Sequence, residues 1–363
     1  MTLSSSCCSG FLFTKRYSCI SKRITVTIKR GVCYHKSTNY ESARKDVCKL
    51  ANTGAIKHKK NGFMKEIKQS KTLLLMVLPA VLLVFVFSYL PMGGLVLAFK
   101  QFRYSDGIFG SPWVGFENFR FLFLSGQAWI VTKNTLLYNA MFILVNTTLQ
   151  ITLAIFLSEI VGKYFKKITQ SLMFLPYFIS WVIVGSIAYN LFNYEHGAMN
   201  SLIGLFGIAP LDVYNNPDYW PFILVAFSAW KGVGYGMVVY LASIISIDSE
   251  MYEAAEIDGA NIFQRIWNIT LPSILPTVII LTLLAIGGIF RGDFGLFYQL
   301  IGDNGMLRDK TDIIDTYVYR ALTQTSEIGM AAAAGFFQSV MCFVVIVFTN
   351  WVVKRVQSDY ALF

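Results

Sequence analysis

Apolar residues gather in six windows, at about 73–99, 134–157, 168–192, 219–247, 274–301 and 330–353. Each is long enough to cross a bilayer, which takes about 20 predominantly apolar residues. Polar stretches at about 100–133, 158–167, 193–218, 248–273 and 302–329 separate them. The alternation predicts an all-α polytopic membrane protein with six transmembrane helices. Pro79, Pro91, Gly93 and Gly94 predict a kink or break in the first span. The apolar run 202–208 is too short to cross and reads as a half-buried segment. Over 312–322, Ile313, Ile314, Tyr317 and Ala321 share one helical face, predicting a helix that lies on the outer surface.

Composition supports the membrane assignment: 55% of the 363 residues are hydrophobic and 14% charged. Charge adds orientation. Residues 1–72 carry 16 Lys/Arg and 3 Asp/Glu, whereas the rest carries 15 and 18. The net charge of +10 therefore belongs to a basic tail, which weakens a nucleic-acid reading, since no folded domain carries the charge, and suits anionic lipid. Near the span ends, twelve Lys/Arg lie on the side of the termini and seven on the other. That excess predicts both termini, and the 248–273 loop, inside the cell. Four regions follow: a basic tail (1–63), a first span with its outer loop (64–133), a five-helix core (134–353) and a C-terminal tail (354–363). The tail reads as a mis-set translation start, a disordered cytoplasmic segment or a targeting peptide. Five of six cysteines lie in it, none in a CxxC pair, so no zinc or redox motif is present.

The 248–273 loop carries the chemistry. It reads Glu253-Ala254-Ala255, then Gly259, then Ile269-x-Leu271-Pro272. Asp248 suits an N-cap, Glu250 the positive end of a helix dipole, and Gly259 the left-handed turn that ends a helix. Met251, Ala254, Ala255 and Asp258 fall on one face with two very small side chains. Ile262, Ile266 and Ile269 continue an apolar stripe toward Pro272 and Pro276. The spacing predicts a short rigid helix at the foot of two spans, a lever and not a catalytic site.

This loop resembles the EAA signature of ABC-importer permeases. The likeness extends over nearly all of residues 64–363, through YLPMGGLVLAFKQF (89–102), SPWVGFENF (111–119), FLPYFISWVIVGSIAYNLF (174–192) and IDTYVYRAL (314–322). These are similar to the polysaccharide and oligosaccharide permeases among the maltose-permease-like carbohydrate importers of bacteria. The resemblance implies a type I importer fold in the bacterial plasma membrane. It also implies a second homologous permease as heterodimer partner, an ABC ATPase dimer and an extracellular sugar-binding lipoprotein. Glu253, Ala254, Ala255, Gly259, Ile269, Leu271 and Pro272 would form the ATPase-coupling loop. No cofactor is expected in this chain, ATP and Mg being bound by the partner ATPases. The lone Gly162-Lys163 pair lacks the rest of a phosphate-binding loop, and His35, His58 and His196 form no metal site.

Charges within spans usually face a cavity or a partner. Lys231 in the fourth window, and Arg291 and Asp293 in the fifth, are such charges. Arg291 and Asp293 are two apart and cannot face each other on a regular helix. Either Gly287, Gly288, Gly292 and Gly295 interrupt that helix or each charge has a partner on another span. With Trp230 and Tyr235, these residues are candidates for the substrate path, and two cations would favour a uronate-containing oligosaccharide. The competing reading is that they bridge a permease pair and that the glycines around Lys231 serve helix packing. An ion-gradient-driven transporter, which leaves the Glu-Ala-Ala loop unexplained, and a non-transporting membrane sensor that borrows the permease fold are rival functions.

Overall fold

The computed structural model describes residues 27–29, 32–34, 71–160 and 162–356. It divides into two units, 1–83 and 84–363. In the first, strands β1 (Thr27–Lys29) and β2 (Val32–Tyr34) pair antiparallel, and helix α1 (Lys71–Val84) carries Pro79. The rest of the basic tail, and the C-terminal tail beyond Val356, lie outside the described residues. The strand pair adds a local element to a chain whose described residues are otherwise almost wholly helical.

Beyond α1 the first span changes helix type, to a π turn over Phe85–Tyr89 and a 3-10 segment over Leu90–Phe99. Pro91 explains the change, because it removes a backbone donor and crowds the preceding turn. Helix α2 (Glu117–Leu124) leads to α3 (Gln127–Glu159), the second span. The third span departs from a regular helix. Helix α4 (Lys163–Phe174) and a 3-10 turn (Leu175–Phe178) meet α5 (Trp181–Phe192) at a 93° bend. The expected span over 168–192 is therefore two helices meeting at a bend.

Helix α6 (Ala198–Gly204) is short and does not cross. Leu202, Leu205, Phe206 and Ile208 are exposed there, not half-buried as the apolar run suggested. Helix α7 (Trp220–Ile245) matches the fourth window. The loop holds α8 (Ser249–Ile257) and α9 (Ile262–Arg265), the latter running through a π turn (Ile266–Thr270) into α10 (Leu271–Gly287). The fifth span thus begins inside the loop, at Ile262, and ends at Gly287. The expected window 274–301 merges two elements: α11 (Phe294–Ile301) is a separate short helix after an extended break at 291–293. The interruption permitted by the glycines is what occurs. Helix α12 (Ile314–Thr323) buries Ile314, Tyr317 and Ala321, as its pattern predicts. Helix α13 (Ile328–Val356) is the last span.

Three apolar clusters tie the second unit together. One joins Tyr138 and Phe142 of α3 to Val184, Trp220, Leu296 and Phe297. A second, toward the loop end, joins Ile155 and Leu157 to Met237, Tyr240, Ile244 and Ile274. The third packs Leu122, Val131, Phe290 and Tyr317 with Ala334. Lipid tails are as apolar as leucine, so close packing and hydrogen bonds must supply the association. Both are present on α3. Asn134 donates to the Asp309 and Asp312 carbonyls (3.1 and 3.0 Å), Tyr138 to the Lys310 carbonyl (2.9 Å), and Thr135 accepts from Ile314 N–H (3.0 Å). These bonds fasten residues 309–314 to the end of the second span.

Candidate functional sites

The loop helix α8 is closed at both ends. The Asp248 carboxylate accepts from Glu250 N–H at 3.1 Å. At the other end Gly259 adopts φ +77°, Gly259 N–H donates to Glu256 O at 3.1 Å, and Ala260 N–H reaches back to Ala255 O at 2.9 Å. This pair of bonds is the Schellman closure, which a left-handed glycine permits. Asn261 then caps α9 in a reciprocal box with Gln264. Two helices are thereby joined by a turn with few conformational options.

Two side chains pin α8 to the bundle. Tyr252 hydroxyl lies 2.9 Å from Thr270 Oγ1 at the foot of the fifth span. Arg265 stands 3.9 Å from both Glu159, at the end of α3, and Glu256 on α8. Arg265 Nε is buried without a hydrogen bond, so the guanidinium's attachment is through those two carboxylates. Glu253, Ala254, Met251 and Asp258 are exposed, with Ala255 half-buried. Exposed Phe263 and Trp267 flank them. Ile262 is exposed, whereas Ile266 and Leu271 pack on the apolar cluster beneath; Ile269 is half-buried and Pro272 exposed. Sequence reasoning found this loop but missed Tyr252 and Arg265, whose partners are distant in sequence.

The path candidates separate into committed and uncommitted groups. Lys231 Nζ donates to the carbonyls of Pro176 (3.3 Å), Tyr177 (3.0 Å) and Ile179. Asp293 is the N-cap of α11, accepting from Leu296 N–H at 3.1 Å. Both charges serve backbone. Gly234 and Gly236 serve packing: a Cβ would collide with the Met173 carbonyl at the first and the Gln150 side chain at the second. Tyr235 is half exposed and stacks on Tyr177 at 4.7 Å, and Trp230 leans edge-on to Phe227.

Arg291 differs. It is exposed, and among the described residues no hydrogen bond or ion pair engages its side chain, although it lies near enough to Asp315 to act on that carboxyl. Its backbone is held from three sides. Asn139 donates to the Ile289 and Arg291 carbonyls (2.9 and 3.0 Å). Gly292 N–H donates to Asp315 Oδ2 at 2.7 Å, and Gln338 donates to the same oxygen (3.0 Å) and to Phe290 O (2.8 Å). Burial pushes the Asp315 carboxyl above the ordinary carboxylate range, outweighing those two donors and Arg291. Asn139, Asp315 and Gln338 escaped sequence reasoning. The available signal was polarity inside or beside an apolar helix. Trp181 links the two groups, its ring 5.1 Å from Lys231 Nζ and its edge seated against Gly295.

Interrupted crossings with polar centres and a capped, pinned loop helix define a membrane-transport subunit. The family described as binding-protein-dependent transport system inner membrane component matches residues 150–358. The chain is 33% identical over 299 residues to the polygalacturonan/rhamnogalacturonan transport system permease protein YteP of Bacillus subtilis, covering 82% of this chain and 92% of that protein. It is also 33% identical to protein LplB of the same species, covering 82% and 93%. A crystal structure of a bacterial ABC transporter involved in the import of the acidic polysaccharide alginate contains a chain of the same fold. That chain is 33% identical with TM-score 0.74, covering 81% of this chain and 99% of its own length. The protein belongs to the binding-protein-dependent transport system inner membrane component family. It is a multi-pass ABC-importer permease of the bacterial plasma membrane, a membrane subunit and not itself an enzyme.

Proposed function

We propose that this permease conducts acidic oligosaccharides. It does so beside a second, homologous permease, driven by an ABC ATPase dimer that binds ATP and Mg and fed by an extracellular sugar-binding lipoprotein. Both termini and the α8 loop face the cytoplasm in this reading, as the Lys/Arg excess favours. The observation that carries it is α8: capped at both ends, pinned by Tyr252 and Arg265, with a small-residue face open to a partner. Glu253, Ala254, Ala255 and Gly259 enter the ATPase groove, while Ile269, Leu271 and Pro272 carry the motion into the fifth span.

Arg291 supports the acidic substrate. Its guanidinium has no hydrogen-bonding partner among the described residues, and its backbone is fixed by Asn139, Asp315 and Gln338. A pre-positioned planar fork suits bidentate recognition of a uronate carboxylate. Trp230 and Tyr235 offer ring faces to the apolar side of a pyranose. Relatives named for polygalacturonan/rhamnogalacturonan transport and for alginate import agree with an anionic cargo. The test is uptake by the reconstituted importer of charged and neutral oligosaccharides of equal length. Arg291→Gln is expected to depress uptake of the charged series selectively. Equal uptake of both series by variant and wild type contradicts the assignment.

A further inference from the structure

The break in the third span leaves backbone groups to be satisfied at membrane depth. Pro176 O accepts locally from Ile179 N–H at 3.2 Å, whereas Ile179 is extended (φ −74°, ψ 129°), so the carbonyls at 177 and 179 leave the regular helical ladder. In hydrocarbon each unsatisfied backbone group costs several kcal/mol, and non-helical backbone survives only where protein or water answers it. Among the described residues, the group from another span that answers them is an ammonium. Lys231 Nζ, with three donors, meets three carbonyls, those of Pro176, Tyr177 and Ile179. The rings of Tyr177 and Trp181 lie 6.0 and 5.1 Å from it, covering the charge on both sides of the bend. One turn along α7, Gly234 lets the Met173 carbonyl approach closer than any side chain would permit.

We infer that Lys231 is a positioning residue: a tethered cation that holds the 93° bend between α4 and α5 and thereby seats Tyr177 against Tyr235. Its charge is spent on the protein's own backbone and takes no part in choosing the sugar. The inference stands apart from the Arg291 assignment, since it removes Lys231 from the charge-reading set whichever substrate is carried.

The test uses the assembled importer with spin labels at Tyr164→Cys and Ile187→Cys, one on each arm of the bend and both exposed in the wild type. Wild type should give one narrow distance distribution. Lys231→Met, which keeps the side chain's length but removes its donors, should broaden and lengthen it. Uptake of acidic and neutral oligosaccharides should fall by the same factor, roughly fivefold or more, as losing even a modest share of a marginal stability allows. A distribution that coincides with wild type overturns the inference, and so does a loss confined to acidic sugars, which would make Lys231 a substrate ligand. Should the variant fail to assemble, reductive methylation of the wild-type importer decides. Lys231 is expected to stay unmodified while exposed Lys163 and Lys167 react, and modification of Lys231 to their extent refutes the clamp.

Discussion

Replacing Gly259 by alanine separates backbone strain from every other effect at the coupling loop. Gly259 holds φ +77°, and an added Cβ would meet no atom within 4 Å, so the substitution creates no clash. What remains is the cost of a left-handed L-residue, about 1–2 kcal/mol. That cost falls on the closure formed by Gly259 N–H to Glu256 O and Ala260 N–H to Ala255 O. A loss of 1–2 kcal/mol lowers the ratio of closed to frayed α8 by roughly 5- to 30-fold. If the closed helix is the lever, oligosaccharide taken up per ATP hydrolysed in proteoliposomes should fall for Gly259→Ala. Gly259→Asn should suffer less, because asparagine visits the left-handed region more readily. Full coupling in both Gly259→Ala and Gly259→Val would refute the reasoning, since neither strain nor bulk at the turn would then matter.

Other perturbations follow from the same contacts. Arg320 pairs with Asp312 at 2.5 Å, and their side chains are 18% and 4% exposed. Arg320→Met should destabilise the purified protein by about 3–5 kcal/mol in thermal unfolding, as stranding a buried charge does, and adding Asp312→Asn should restore much of the loss. Tyr252→Phe removes the bond to Thr270 and should cost about 0.5–1.5 kcal/mol while lowering coupling and leaving substrate KM unchanged. Asp315 has a folded-state pKa raised by burial, so the folded form binds its proton more tightly than the unfolded form. Its stabilising contribution is therefore full below the ordinary carboxylate pKa and is lost as pH rises through the raised value. Between pH 4 and 7, the wild type should lose unfolding temperature relative to Asp315→Asn as pH rises. A constant difference across that range would contradict the sign.

The crossings, the one-faced helix α12 and the whole of α8 were legible in the sequence because each rests on local pattern. Asp248, Gly259 and the intervening small residues specify a helix, its ends and its exposed face without reference to anything distant. The two interruptions were harder. At 291–293 the glycines and the Arg291/Asp293 spacing leave two readings open, an interrupted helix or partners on other spans. Its repair by Asn139, Asp315 and Gln338 comes from three other elements and has no local signature. At Pro176 the hydropathy remains high through the bend, so the apolar window reads as one span with no sign of the break. Lys231 donates to the carbonyls of that break from 55 residues away, a contact with no local signature. Hydropathy reports side chains, whereas the bend is a matter of main-chain donors and acceptors.

The account depends most on α8 being the part that touches the motor. A photo-reactive amino acid at Ala254, exposed on the small-residue face, tests this in the assembled importer in native membranes. Irradiation should join this chain to an ABC ATPase subunit, and the yield should change when ATP is bound and hydrolysed. Capture of lipid alone, or reaction of position 254 with a membrane-impermeant reagent added outside intact cells, would contradict it.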